Sequence, residues 1–251
     1  MTTELRDDSE VSDHVSNDPP YDARKVNLAV VAVKAMGLGI MFSTSITLAL
    51  LHHQVSVCLF IAAVVVFHLA EFFCTSVYNT AATDDDSFIL NDTDLLLAYL
   101  VSIIEYCLRH WLQSVFLPQT NTNVIPLLAF VASLVGGVVV ILGQTFRSLA
   151  MCTAKESFNH YIQRQHEDKH VLVTHGIYGV SRHPSYFGFF WWFVGLQIWL
   201  GNPITLVAGG YKLWSFFRHR IEFEEAFLVS FFGKEYVQYK KRTPVLIPLI
   251  G

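Results

Sequence analysis

Two short clusters in the C-terminal third place a cation, an imidazole, a phenol and carboxylates at spacings that can do chemistry. The first is Arg182-His183-Pro184-Ser185-Tyr186, and the second is Arg218-His219-Arg220-Ile221-Glu222-Phe223-Glu224-Glu225. Pro184 suits the opening turn of a helix, where its missing N–H would be unpaired anyway. The free N–H groups of such a helix start can receive an anion such as a carboxylate. His183, wedged between Arg182 and Pro184, is not core filling. Arg220 and Glu224 are four apart and so share one helix face. Taken alone, that spacing describes an ordinary surface ion pair worth less than about 1 kcal/mol. Beside the first cluster at a membrane boundary it describes a buried pair whose desolvation cost implies use.

Upstream of these, Gln163 and His170 flank a charged run, and His170-Val171-Leu172-Val173 reads as a short extended segment. The chain has 11 histidines, yet His160, His166, His170 and His175 form no HExxH pattern and have no acidic partner at a ligand spacing, so no metal site is expected. Cys58, Cys74, Cys107 and Cys152 show no CxxC spacing and read as buried free thiols.

The elements that must position these clusters are apolar. Of 251 residues, 53% are hydrophobic and only 15% are Asp, Glu, Lys or Arg, while the mean hydropathy is +0.41. A chain this size folded alone in water would leave too much apolar surface wet, so a bilayer is the expected solvent. The net charge of −4 excludes a nucleic-acid protein dominated by phosphate contacts. Residues 1–25 hold three basic and seven acidic side chains and read as a mobile acidic tail, without the basic start and apolar core of a secretory signal.

Four apolar segments follow, Val26 to Leu51, Val55 to Tyr78, Leu95 to Leu117 and Val124 to Ala150, each near the roughly 20 residues that a helix needs to cross hydrocarbon. Unpaired backbone is not tolerated in lipid, so all four should be helices. Residues 151–182 turn polar. The apolar stretch Pro184 to Phe217 is too long for one span and is broken by Gly201-Asn202-Pro203, which predicts a helical hairpin. A charged amphipathic helix, Glu222 to Tyr239, and an apolar end, Val245 to Ile250, complete the chain. The expectation is an all-α integral membrane protein of about six transmembrane helices: a tail 1–25, a four-helix region 26–150, and a catalytic region 151–251 that includes the hairpin 184–217.

Orientation follows from the cations. Arg147, Lys155, Arg164, Lys169 and Arg182 flank the fourth span, and Arg218, Arg220, Lys234, Lys240, Lys241 and Arg242 occupy the tail. Both segments should face the cytosol, and six crossings place the N-terminus there too. The loop Asn79 to Asp94 must then be cytosolic although it has no Lys or Arg, and its Asn91-Asp92-Thr93 acceptor pattern should stay unglycosylated. Glu71, with His68 one turn earlier, and Glu105 lie within apolar spans, where each must either pair within the bundle or line a cavity; pairing is the favoured reading.

The segment SRHPSYFGFFWW, the downstream NPI, and FFRHRIEFEEAFLVSFFGKEYVQYKKRTPVLIPLI resemble the isoprenylcysteine carboxyl methyltransferases. FHLAE (67–71), DSFILN (86–91), MCTAKESFNHYIQ and HVLVTHGIY extend the resemblance over nearly everything from about residue 55 onward. The six-span layout is closer to fungal members. The resemblance implies S-adenosylmethionine as cofactor, held at the cytosolic membrane face by Gln163, His170, Val171, Leu172, Val173, Tyr178, His183, Pro184, Ser185, Tyr186 and Glu224. It also implies that Arg220 meets the substrate carboxylate, so Arg220, Glu224 and His183 are the catalytic candidates. Phe223 stands where some relatives have an acidic residue. Implied partners are prenylated CaaX proteins after proteolysis, such as Ras-like GTPases or a lipidated mating pheromone, together with membrane lipid; the implied location is the endoplasmic reticulum.

Chemistry agrees with these residue types. A carboxylate is already ionised at neutral pH, so no general base is required, and catalysis must come from alignment and exclusion of water. An RHPxY corner also resembles those of NADPH-dependent sterol reductases and phospholipid methyltransferases; the first would bind NADPH, and the second has an amine acceptor that does not need Arg220. A non-enzymatic membrane scaffold would use residues 151–186 as a docking surface and bind no such ligand.

Overall fold

The computed structural model describes residues 26–116, 124–158 and 171–251. The tail 1–25, the turn 118–123, and the candidate cofactor residues Gln163 and His170 lie outside the described residues. Among the described residues seven α-helices run in order: α1 (Leu28–Leu50), α2 (Val55–Tyr78), α3 (Thr93–Phe116), α4 (Val124–Ala154), α5 (Pro184–Leu200), α6 (Pro203–Phe232) and α7 (Lys234–Arg242). There is no strand among the described residues. Among the described residues four helices are long and apolar enough to cross a membrane: α1, α2, α3 and the helix from Leu127 onward. The protein is an all-helical integral membrane protein.

Local chemistry sets the helix ends. Asn27 caps α1 by accepting from the N–H groups of Ala29 (3.1 Å) and Val30 (3.4 Å). Pro184 and Pro203 open α5 and α6, where a missing N–H costs nothing. Gly201 reverses the chain between them in the left-handed region (φ 67°). Helix α3 fastens that reversal. Glu105 accepts from the N–H groups of Ile204 (2.8 Å) and Thr205 (2.7 Å), so its negative charge sits on the positive end of α6. Arg109 donates to the Leu200 carbonyl (2.6 Å), and the buried Asn202 amide donates to Ser102 (2.8 Å). Glu105 is thus a structural cap.

Helices α4 and α5 form the most intimate pair. A Cβ on Gly143 would lie 2.5 Å from the Trp192 nitrogen and 2.7 Å from the Gly188 carbonyl oxygen. One on Gly188 would lie 2.6 Å from both the Arg147 nitrogen and the Gly143 carbonyl oxygen. Gly136 and Gly195, seven residues along each helix, repeat the contact. Helices that cannot gain from shedding water gain from such close backbone approach. The result is that α5 is buried on several sides, with Trp192 and Leu196 each 1% exposed in a core shared with Phe60 and Phe67 of α2.

The predicted break between the hairpin and a separate helix starting at Glu222 does not occur. Helix α6 runs through Phe217 to Phe232 because no Gly or Pro interrupts 211–232; the first stop is Gly233 (φ 54°), and α7 follows. Arg220 and Glu224 therefore lie mid-helix. The apolar end folds back, with Val245, Ile247 and Ile250 packing on Phe190, Phe217 and Ile221. Cys58 and Cys74 are buried free thiols, but Cys107 lies on the exposed face of α3 and Cys152 is partly exposed.

Candidate active site

The corner before α5 is held from beneath by the C-terminal segment. Arg182 N–H donates to the Pro244 carbonyl (3.0 Å), and Ser181 Oγ donates to the Val245 carbonyl (2.9 Å). Arg182 Nη1 reaches the Thr243 carbonyl (2.9 Å), and its Nε pairs with Glu225 Oε1 (2.5 Å). His183 Nε2 lies 3.2 Å from that same oxygen, and Lys240 Nζ pairs with the other (2.5 Å). Burial pushes the Glu225 carboxyl upward, yet hydrogen bonds from His183, Lys240 and Arg182 outweigh it and hold the group well below the usual carboxylate range. Glu225 thereby locks α6, α7 and the corner into one rigid piece.

Above that lock the rings stack. The His183 and Tyr186 rings are 5.5 Å apart at 4°, and Tyr186 faces Phe217 at 5.0 Å and 22°. The Tyr186 hydroxyl accepts from Arg220 Nε (2.9 Å) and donates to Glu224 Oε2 (2.7 Å). One phenol therefore bridges the two charges that sequence spacing had placed on one helix face. His183 Nδ1 is 3.9 Å from Glu224 Oε2, so the imidazole stands between two consecutive carboxylates.

Tyr186 also borders two cavities. The smaller, about 130 Å³, is lined by Val171, Leu172, Val173, Tyr178, His183, Pro184, Ser185, Tyr186 and Glu224, so every described residue of the predicted cofactor set meets at one place. Residues 171–174 carry no regular secondary structure. Burial, then the Glu224 carboxylate, raises the Tyr178 phenol above its ordinary value, so it stays a neutral donor. Tyr239 Oη donates to the Tyr178 carbonyl (2.7 Å) and fixes that turn.

The larger cavity, about 710 Å³, holds Arg220 and an aromatic wall of Phe67, Phe189, Phe216 and Phe217, with Asn79, Asp84, Asp86 and Asp92 at its polar side. Ser185, Tyr186 and Phe158 border both cavities. Arg220 and Glu224 thus line different chambers, both bordered by Tyr186. The loop 84–92 is pinned by Lys34 Nζ on the Asp85 carbonyl (2.6 Å), by His68 Nδ1 donating to the Phe88 carbonyl (2.7 Å), and by Phe72 stacked on Phe88 at 4.1 Å.

Sequence reasoning counted Arg147 only as a charge beside a span. It is a wall of the larger cavity, where Nε and Nη2 grip the Glu71 carboxylate (2.6 and 2.9 Å) and Nη1 donates to Ser185 Oγ (2.9 Å). Glu71 is fully buried, so the favoured pairing is what it does, and the pair orients a residue that both cavities share. The available signal was a lone cation at the end of one apolar span and a lone carboxylate in another. Leu228, Phe232, Tyr236 and Tyr239 of the smaller cavity carried no such signal.

The smaller cavity suits a cationic cofactor with polar arms. Glu224 supplies negative charge at the wall, and Arg182 Nη2, buried in a lining side chain, has no hydrogen-bond partner. Among the described residues no group of three or more His, Cys, Asp or Glu could hold a metal ion.

Comparison with known proteins gives a consistent result. Residues 135–230 match the isoprenylcysteine carboxyl methyltransferase (ICMT) family. The chain is 42% identical over 193 residues to the protein-S-isoprenylcysteine O-methyltransferase of Saccharomyces cerevisiae, covering 76% of this chain and 79% of that one. It is 37% identical over 221 residues to the human protein of the same name, covering 88% and 75%. A solved structure of the eukaryotic intramembrane Ras methyltransferase ICMT superposes with a TM-score of 0.79 at 32% identity, over 88% of this chain and 77% of that one.

Proposed function

From the premise that this chain belongs to the isoprenylcysteine carboxyl methyltransferase family and is an enzyme, we propose that it methylates the C-terminal carboxylate of a prenylated cysteine, using S-adenosylmethionine. The observation that carries this reading is the single Tyr186 ring bordering both a cavity bearing Glu224 and a larger, aromatic-walled cavity bearing Arg220. An acceptor carboxylate belongs in the second and a methyl-bearing sulfonium in the first. When bound, that cofactor supplies an electrophilic methyl group: the carbon–oxygen bond forms as the carbon–sulfur bond breaks, giving a methyl ester and a neutral thioether.

The chain's own residues align this transfer. Arg220 steers the carboxylate by charge-assisted hydrogen bonding without taking a proton, since the acceptor is already ionised near neutral pH. Glu224 favours a cation in its chamber, and Tyr186 fixes both groups at once. His183, packed flat on Tyr186, sets that ring's plane. Ser185, held by Arg147, fixes the start of α5 where the chambers meet. Alignment and exclusion of water supply the rate, and no side chain serves as base.

A prenyl chain gains about 0.8 kcal/mol per buried CH₂ and so reaches such a site most cheaply from within the bilayer. This supports six crossings, with α5 and α6 spanning in addition to the four longer helices, and a site at the cytosolic face. Arg147, Arg182, Arg220 and Lys240 all adjoin the site, and the loop 84–92 lines the same cavity as Arg220, which supports a common side for them. Asn91 then faces the cytosol and stays unglycosylated. The endoplasmic reticulum, prenylated CaaX proteins such as Ras-like GTPases, and the surrounding lipid are the corresponding location and partners.

The test is transfer of labelled methyl from S-adenosylmethionine to N-acetyl farnesylcysteine and its geranylgeranyl counterpart by the purified protein in lipid. Incorporation into a base-labile ester is the expected result. Failure with both acceptors retires the proposal.

A further inference from the structure

Arg220 is held by more than hydrogen bonds. Its guanidinium carbon lies 5.5 Å from the centroid of Tyr186 and 5.8 Å from that of Phe216, one helical turn earlier on α6. The neighbouring Phe217 faces inward, 4% exposed, and stacks on Tyr186 instead. Phe216 is 52% exposed, points outward, and still lines the larger cavity. It therefore touches three things at once: the cation, the cavity, and the outer surface of a membrane helix.

We propose that Phe216 is the positioning and specificity residue for the acceptor end of the substrate, holding the Arg220 guanidinium in place where the lipid chain passes. An aromatic face attracts a cation without occupying any of its N–H donors or neutralising its charge. Arg220 reaches inward from an outward-facing part of α6, and rings on both sides narrow the range of rotamers its long side chain samples. The Tyr186 ring and hydroxyl restrain it from within, and the Phe216 ring restrains it from the lipid side. Phe216 then stands where it meets both the charged head and the apolar tail of the acceptor.

This rests on the reading of Arg220 as the carboxylate's partner, and the experiment separates the two. Wild-type, Phe216→Leu and Phe216→Tyr proteins are reconstituted in lipid. Each is assayed for methyl transfer to N-acetyl farnesylcysteine and for binding of two competitors, the demethylated thioether product of the cofactor and the carboxamide of the same farnesylcysteine. Leu keeps the apolar wall but removes the π face. Phe216→Leu is expected to raise KM for the carboxylate acceptor about three- to tenfold, the range of a partly desolvated cation–π contact. Affinity for the neutral carboxamide and KM for S-adenosylmethionine stay as in wild type, and Phe216→Tyr restores the acceptor KM. Equal loss for carboxylate and carboxamide overturns the proposal, because Phe216 is then lipid wall alone. An unchanged acceptor KM overturns it too, as does failure of Phe216→Tyr to restore it. Should Phe216→Leu not fold, Phe216→Met takes its place. A wild-type protein that methylates neither N-acetyl farnesylcysteine nor its geranylgeranyl counterpart counts against the proposed function and not against this contact.

Discussion

Replacing Tyr186 by Phe removes one oxygen and leaves the ring on which His183, Phe217 and the Arg220 guanidinium all rest. What is lost is the hydroxyl that accepts from Arg220 at 2.9 Å and donates to Glu224 at 2.7 Å. Hydrogen bonds to charged groups contribute about 1.5–3 kcal/mol each. Both charges survive the substitution and can partly satisfy each other across one helical turn, so the two losses do not add in full. A net loss of about 2 to 3 kcal/mol corresponds to a roughly 30- to 150-fold fall in kcat/KM. Because each charge belongs to a different chamber, KM rises for both acceptor and cofactor. The assay is labelled methyl transfer in proteoliposomes with each substrate varied in turn, alongside thermal unfolding to establish folding. A folded Tyr186→Phe protein within about threefold of wild type on both substrates would falsify the bridging role.

Three further outcomes follow from the geometry. Gly188→Ala sets a methyl 2.6 Å from two backbone atoms of α4, so it should cost about 1–3 kcal/mol in thermal or denaturant unfolding, whereas Gly210→Ala, with nothing within 4 Å, serves as the neutral control. Glu105→Ala removes the acceptor for two N–H groups at the start of α6 and should lower stability by about 0.5–2 kcal/mol, leaving the KM values of the folded fraction unchanged. Glu225 has a folded-state pKa below its ordinary 4.5, so its contribution is fully present above that pH and is lost as pH falls below it towards the folded value. Melting temperature measured from pH 7 down to pH 3 should therefore drop more steeply below about 4.5 in wild type than in Glu225→Gln; parallel curves would contradict the assignment.

Much was legible in the residue order because a bilayer leaves few choices. Continuous apolar runs had to be helices, since lipid offers nothing else to pair with backbone, and their number and limits fell close to those of α1 to α4. Gly201 and Pro203 marked the reversal because each acts locally, one by tolerating positive φ and the other by ending the demand for an N–H donor. The cofactor set was legible only through the resemblance; spacing by itself left Arg220 and Glu224 as a pair on one face. Tertiary structure decided the rest. Whether two charges four residues apart meet or stand in separate chambers depends on Tyr186, which comes from another helix 34 positions away. The use of Arg147 and Glu71, 76 residues apart, and of two glycine pairs on α4 and α5, likewise depends on which helix faces which. Periodicity assigns a residue to a face of its own helix; only packing of that face against another supplies its partner.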